Sequence, residues 1–381
     1  MTPRADDPPL TPRPLDTADL DYPLPDRAIA RQPVEPRDAA RMLVVSRTAP
    51  ERIDDRRVRD LPDLLLPGDL LVFNDTAVLP ARLCGHRVES GGRVEGLFLE
   101  ADAGGASTRW RAMLRSNGRL RPGVRIAWTG PDQAHTVITH LVDRDEAGWT
   151  LEAERLDEPH DPVAVLRRIG HVPLPPYILA ARAAAGDDAD AGFEDDAWYQ
   201  TVYADLERAG SVAAPTAGLH FTQRLLAELD ARGIGRCHVT LHVGPGTFKP
   251  VETASLADHP MHSEWYEVGP DALRSIARAR TEGGRVLAVG TTTTRTLESL
   301  PDPLPAHPTG PISGWTDLLI APGHRFRHLD GMLTNFHLPR STLIALVAAA
   351  LGLDRTLALY RHAVSEGYRF YSYGDAMLIL P

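Results

Sequence analysis

The sequence holds only two cysteines, Cys84 and Cys237, which stand far apart and outside any metal-ligand spacing. That excludes a disulfide framework and a cysteine-bound zinc site, and it fits a reducing cytosol. Lysine is almost absent: Lys249 is the single one in 381 residues, so nearly all positive charge is arginine. No run approaches the ~18 apolar residues of a membrane span, and the longest, 343–351, has the length of a buried helix. The start, 1–19, mixes Pro, Arg and Asp without the apolar centre of a signal peptide, and reads as a disordered tail. A cytoplasmic protein with no membrane association is the expectation.

What is present is ordinary for a globular chain, at 43% hydrophobic and 24% charged residues, with length enough for two domains. The formal charge of -10 gives no overall attraction to a polyanion. Charges are screened beyond about 10 Å, however, so a nucleic-acid partner depends on local arginine patches rather than on the total.

Short alternating runs broken by glycine fill 67–154, namely 69–73, 81–89, 93–99, 109–114, 125–128, 135–141 and 149–153. Regular short strands of this kind predict a small antiparallel β-barrel. Before it, 26–31 reads as an amphipathic helix and 41–45 as a strand. After it the pattern turns to α/β, with helices at 222–232, 271–282 and 342–350 and strands at 236–242, 285–289 and 318–320. The expected architecture is a major α/β domain formed by 20–66 and 155–381, carrying the active site, with 67–154 as an inserted barrel. The Ala, Asp and Gly-rich segment 180–197 is expected to be a mobile acidic loop.

Several segments join small residues to groups that move protons. Thr216-Ala217-Gly218-Leu219-His220 precedes a helix whose N-cap is expected at Thr222; it reads as a ligand loop presenting His220, or as a tight core turn with a bonded histidine. Thr240-Leu241-His242-Val243-Gly244-Pro245-Gly246 runs from a strand into a glycine turn, without the third glycine of a dinucleotide site or the Gly-Lys of a phosphate loop. His259, His262 and Glu264 crowd one stretch, but not as His-Glu-x-x-His, so a zinc-dependent hydrolase is a distant alternative and no metal is expected. Gly290-Thr291-Thr292-Thr293-Thr294-Arg295 places hydroxyls and a guanidinium at a strand-to-helix turn. Arg295 there would clamp a carboxylate or pair with Glu298. Asp317, His337, Tyr373 and Asp375 each stand beside glycine or an aromatic ring.

Taken in order, these segments resemble one family over nearly the whole chain. Asp21-Tyr22, Pro33, Arg37-Asp38 and Arg41 open the match. Pro67-Gly68-Asp69 to Asn74-Asp75-Thr76, Pro80-Ala81-Arg82-Leu83, Pro173 to Ile178 and Tyr199-Gln200-Thr201-Val202-Tyr203 continue it. The chain is similar to the S-adenosylmethionine:tRNA ribosyltransferase-isomerases. The resemblance implies an α/β domain with an inserted barrel. It also implies transfer and isomerisation of the ribosyl group of S-adenosylmethionine onto 7-aminomethyl-7-deazaguanine in tRNA, giving epoxyqueuosine with release of adenine and methionine. It implies no cofactor beyond this consumed donor, and a monomer is expected.

Physically, a sulfonium acidifies the adjacent 5′-carbon, so a placed base can remove a proton while adenine leaves. His220, His242, His262 and His337 are the acid-base candidates, with Glu264, Asp317 and Asp375 as orienters or alternative bases. Thr216, Gly218, Gly244, Gly246, Thr291, Thr292, Arg295, Tyr177 and Tyr373 are the expected substrate contacts. Arg37, Arg41, Arg115, Arg119 and Arg121 are the expected RNA contacts. Leu179 and Trp198 stand where the family carries basic residues, and Arg115-Ser116-Asn117-Gly118-Arg119 replaces an Arg-Pro-x-Lys-Arg pattern. These departures bear on the acceptor rather than the donor, and leave open a paralogue serving a smaller acceptor.

Overall fold

Two runs, Leu-Leu-Val-Phe at 70–73 and Val-Leu-Ala-Val at 286–289, are apolar on every residue rather than on alternate ones, which suits strands covered on both faces. In the computed structural model, which describes residues 15–101, 108–146, 148–154, 162–187, 194–244, 246 and 251–381, both lie at the centre of the larger sheet. The strands in chain order are β1 (Arg41–Ser46), β2 (Ile53–Arg57), β3 (Leu70–Asn74), β4 (Thr76–Val78), β5 (Arg82–Arg87), β6 (Arg93–Ala101), β7 (Arg109–Ser116), β8 (Arg125–Thr129) and β9 (Thr136–Arg144). They continue with β10 (Trp149–Ala153), β11 (Gly170–His171), β12 (Asp205–Ser211), β13 (Gly235–Leu241), β14 (Glu264–Val268), β15 (Val286–Val289), β16 (Ile312–Thr316), β17 (Gly331–Asn335) and β18 (Ala376–Leu380).

The larger sheet has nine strands in the order β16-β14-β13-β3-β15-β17-β18-β1-β2. Its middle, β13-β3-β15-β17, is wholly parallel. Alternate residues feed two cores, Leu70 and Val72 on one face, Leu71 and Phe73 on the other. Helix Pro270–Thr281 covers the first face with Leu273 and Ile276, and helix Gln223–Ala231 covers the second with Leu225, Leu226 and Leu229. The expected N-cap holds: Thr222 Oγ1 accepts from the Leu225 N–H at 3.1 Å.

The smaller sheet closes on itself. Its order β5-β6-β7-β10-β9-β8 returns to β5 through a β5–β8 pairing, giving a six-stranded antiparallel barrel, with β11 added beside β5. Trp110, Trp128, Leu83 and Leu151 fill it, and the Trp128 indole donates to Thr139 Oγ1 inside at 2.9 Å. The α/β architecture with a barrel set into the chain is therefore the observed fold.

Four local expectations are corrected. The strand read at 69–73 as part of the barrel is β3, because a doubly buried apolar run needs a covered sheet centre; the barrel's strands begin at Arg82. Of the expected tail, 1–14 lies outside the described residues, but Leu15–Asp19 is ordered, with Thr17 buried and its hydroxyl donating to Thr253 O at 2.7 Å. The expected helix at 26–31 is a single 3-10 turn, Asp26–Ala28, after which Ile29 bridges Phe370, and 318–320 forms no strand.

In the expected acidic loop, 188–193 lies outside the described residues, yet its flanks are fixed. Residues 180–184 end the helix Pro176–Ala184, and Arg182, fully buried, holds Asp195 through two bonds of 2.6 and 2.8 Å. The same guanidinium donates to Arg31 O at 3.0 and 3.1 Å. Breaking one partner of a buried pair strands the other, so Arg182→Ala should cost about 3–5 kcal/mol in a urea titration. A loss below ~1 kcal/mol would show that water reaches Asp195.

Candidate active site

Parallel strands all end on one side, and the connections that leave them form a crevice there. β13 delivers Val243 and Gly244, β15 delivers Gly290, Thr291 and Thr292, and β17 delivers Asn335 and His337 to that edge. Asn74 closes β3 and ties the edge together. Its amide donates to Leu241 O at 3.0 Å and Thr292 Oγ1 at 3.3 Å, and its carbonyl accepts from the Leu241 N–H at 3.0 Å.

A cavity of about 230 Å³ lies against these ends. Of the residues expected to bind substrate, Tyr177, Thr216, Gly246, Thr291, Thr292 and Arg295 line it, and of the acid-base candidates His262, Glu264 and His337 do. Glu264 is the only carboxylate among the described lining residues, and it is buried. Its Oε1 accepts from the Gly244 N–H at 3.0 Å and its Oε2 pairs with Arg295. Arg295 also donates to Leu318 O and Thr316 O, each at 3.1 Å. Of the two roles expected of Arg295, pairing with Glu298 does not form, because Glu298 faces away and accepts the Arg327 and His328 N–H groups; its guanidinium lines the cavity paired with Glu264.

His337 is 7% exposed, with Nε2 2.8 Å from Thr334 Oγ1, and burial pushes it down to about 3. His262 stands at the exposed rim, with Gly246 beneath it so close that a Cβ there would lie 1.8 Å from the ring. In the observed position of that imidazole, a side chain at 246 would displace the ring. His259 lies beside it on the rim, held below the usual histidine range by burial and then by His262.

The other candidates serve elsewhere. His220 is buried with Nδ1 and Nε2 each 3.0 Å from a backbone carbonyl, Ala217 O and Gly374 O; burial lowers its proton affinity although the carbonyls oppose that. His242 stacks on Trp265 at 5.1 Å and bonds Thr76 Oγ1 at 3.0 Å, near the root of the barrel. Asp317 is exposed outside the cavity. Asp375 accepts the Arg41 and Arg369 N–H groups at 3.1 and 2.8 Å, which makes it a loop anchor. Gly218 is glycine because the Tyr203 hydroxyl would lie 1.9 Å from a Cβ, Gly244 serves through its N–H, and Tyr373 donates to Asp195 at 3.1 Å. Arg37 and Arg41 spend their guanidinium groups on backbone carbonyls, and Arg41 on Asp55 as well, which leaves them poorly placed for phosphate. Among the described residues no three His, Cys, Asp or Glu converge as metal ligands, so the hydrolase alternative lacks a ligand set there.

Pattern reading missed Asn335 and Tyr371. Asn335 accepts from Thr216 Oγ1 at 3.1 Å and donates to Tyr371 O at 3.0 Å. An asparagine closing an apolar strand, as Asn74 does, was the available signal. Tyr371 has φ +72°, which a bulky side chain rarely adopts, and it packs on Tyr177 with ring centroids 4.4 Å apart. No composition cue announces such a backbone.

The N-terminal segment clasps two walls of the cavity. On one side the Thr17 N–H donates to Ala254 O at 2.8 Å and the Leu256 N–H to Leu15 O at 3.0 Å. On the other the Arg340 N–H donates to Leu20 O at 3.1 Å, Arg340 Nε to Asp21 at 2.8 Å, and the Tyr22 hydroxyl to His337 O.

The crevice, its whole-chain setting and the motifs around it can be placed among known proteins. A family described as queuosine biosynthesis protein matches residues 17–379. The chain belongs to that family, the S-adenosylmethionine:tRNA ribosyltransferase-isomerases. It is 49% identical to the protein of that name from Gloeobacter violaceus, over 98% of each chain. It is 50% identical to the one from Anaeromyxobacter dehalogenans, over 95% of this chain and 99% of the relative. A crystal structure of S-adenosylmethionine tRNA ribosyltransferase from Thermotoga maritima is 32% identical and covers 95% of this chain and all of its own, with a TM-score of 0.51.

In this member of the ribosyltransferase-isomerase family, the burial of His337 should make the fold acid-sensitive. In the unfolded chain its imidazole titrates near 6.5, so between about pH 6.5 and 3 the unfolded state binds a proton that the folded state refuses. The stability tied to it is complete above 6.5 and lost as pH falls through that window, at about 1.4 kcal/mol per unit. His337→Asn should therefore flatten the loss measured by urea between pH 7 and 4, by on the order of 3 kcal/mol. Tyr22→Phe should cost about 1 kcal/mol of stability and raise the Kd for S-adenosylmethionine several-fold by calorimetry, since it loosens the His337 wall. An unchanged Kd would mean that the clasp serves folding alone.

Proposed function

We propose that the chain transfers and isomerises the ribosyl group of S-adenosylmethionine onto 7-aminomethyl-7-deazaguanine in tRNA, giving epoxyqueuosine and releasing adenine and methionine. The observation that carries this is the full-length kinship with proteins named for that activity, joined to a cavity at the ends of parallel strands. The donor is consumed, so no further cofactor enters the scheme. A cytoplasmic monomer completes the reading; among the described residues no single helix is long and apolar enough to cross a membrane. Helices Thr342–Leu351 and Leu353–Ser365 pass together only as a pair bent by 113°, and Ile344–Val347 of the first are buried in the core.

The residues divide the work as follows. Glu264, held by Arg295 and the Gly244 N–H, is a fixed carboxylate that can orient a cationic nucleoside. His337, pushed to about 3, is uncharged and weakly basic, a hydrogen-bonding wall. Proton removal from the carbon beside the sulfonium falls to His262, which lines the cavity at its open rim. General-base loss typically costs about 10²–10⁴-fold, so His262→Ala should lower adenine release by that range while retaining the wild-type Kd for S-adenosylmethionine. Loss of donor binding instead would assign His262 to positioning.

The reading as a whole is tested by incubating the protein with S-adenosylmethionine and either precursor-bearing tRNA or the free base, and measuring adenine. Adenine with tRNA alone is the expected result. Adenine with the free base alone would make this chain a paralogue with a small acceptor, and methylation without adenine would overturn both.

A further inference from the structure

The arginines of the barrel fall into two sets. One set is paired with carboxylates, whether on the sides or, for Arg93 and Arg125, at a strand start: Arg93 with Glu95 at 2.8 Å, Arg109 with Glu152 at 3.1 Å, Arg111 with Glu100 at 2.8 Å, and Arg125 with Glu154 at 2.8 Å. Arg115, Arg119, Arg121 and Arg144 are exposed, and among the described residues none has a carboxylate partner. A guanidinium already held by a carboxylate must give it up to take a phosphate. These four have no carboxylate to give up.

All four stand at one end. The register sets Val94 beside Ser116, Arg87 beside Ile126 and Arg144 beside Trp149, so the connection from β7 to β8 and the turn from β9 to β10 share that end. The other end is the root. There the Leu79 N–H donates to Ser211 O at 2.9 Å, β5 pairs with β11 at Arg82 and His171, and His171 Nε2 lies 3.2 Å from Thr129 O. At about 3.3 Å per residue, the six residues of β5 put roughly 20 Å between the two ends.

A groove of about 480 Å³ opens at the outer end, with Arg119, Arg144 and Trp149 among its lining. Met113 is 40% exposed beside it, Arg144 lies over the Trp149 ring at 5.9 Å, and Glu146 is the one acid among the described lining residues.

We propose that the outer end of the barrel is a docking surface for RNA phosphate, which holds the acceptor tRNA by its backbone at a distance from the cavity. The proposal rests on the reading that the acceptor is tRNA. In a chain of formal charge -10, attraction to a polyanion has to be local, and this is where unpaired cations gather on the barrel. A small acceptor seated in the cavity would gain nothing from cations at the far end of a barrel, whereas a tRNA arm is long enough to touch both.

The experiment measures tRNA affinity by fluorescence anisotropy between 50 and 200 mM salt, for the wild type and for a variant carrying Arg115→Ala, Arg119→Ala, Arg121→Ala and Arg144→Ala. Each arginine–phosphate pairing removed should reduce the slope of log affinity against log salt by about one. The variant should therefore bind about tenfold or more weakly at the low-salt end and show a slope flatter by about two to four. Its melting temperature and its Kd for S-adenosylmethionine should match the wild type. The corresponding four-lysine variant, which keeps the charge, should restore most of the slope. An unchanged slope in the alanine variant, or wild-type protein that binds no tRNA, overturns the docking surface. Adenine release measured on the same samples separates the two ideas: turnover on tRNA with an unchanged slope sinks the surface and keeps the function.

Discussion

The ion pair between Glu264 and Arg295 is the constraint on which the cavity depends. It joins β14 to the helix Thr291–Glu298, and through the remaining donors of Arg295 it fixes the Thr316 carbonyl that ends β16 and the Leu318 carbonyl just beyond it. Through Oε1 it also fixes the Gly244 N–H that follows β13. Two charges taken out of water are costly unless their other lone pairs and protons are met, and here carbonyls and an amide meet several of them. One buried pair thus sets the positions of three connections that form the cavity wall. Because the pair is neutral as a unit, the cavity can accept a nucleoside carrying a sulfonium without leaving an uncompensated anion when that nucleoside departs.

Much of the fold was legible because it follows from local rules. Thr222 caps its helix since a hydroxyl after a loop can take the Leu225 N–H, and the barrel announced itself through short alternating runs at regular spacing. The one strand assigned to the wrong sheet, β3, failed for a physical reason. Its apolar run is compatible with either sheet, and only tertiary burial on both faces decides. The ordered segment from Leu15 was hidden for a related reason: its order comes from bonds to residues more than two hundred positions away, such as Thr253 and Arg340, and composition is blind to them.

The site was legible in its motifs and not in its assignments. Thr216, Gly246, His262, Glu264, Thr291, Arg295 and His337 do meet, because each follows or flanks a strand that ends at the same edge. His220 and His242 stand in segments of the same kind, yet their rings turn to carbonyls, a threonine hydroxyl and an indole. Residue type and spacing place a backbone at the edge of a crevice; which way the ring points depends on partners elsewhere in the chain. Gly218 shows the same limit, since its missing side chain makes room for Tyr203 rather than for a ligand.

The separation between the cavity and the outer end of the barrel has a kinetic meaning. Interactions made far from the reacting atoms can hold a large acceptor in register, so that the small cavity need not grip the base tightly in its ground state. Such an anchor works only if it is rigidly joined to the site it serves. The barrel supplies that rigidity: it is closed, filled by Trp110 and Trp128, and rooted in the body by Leu79, Arg82 and His171. A flexible arm bearing the same four arginines would attract RNA as strongly but would not orient it. Placing them on a packed barrel turns a charge that any polyanion would feel into a fixed distance, and a fixed distance is what distinguishes a long, stiff acceptor from a free base.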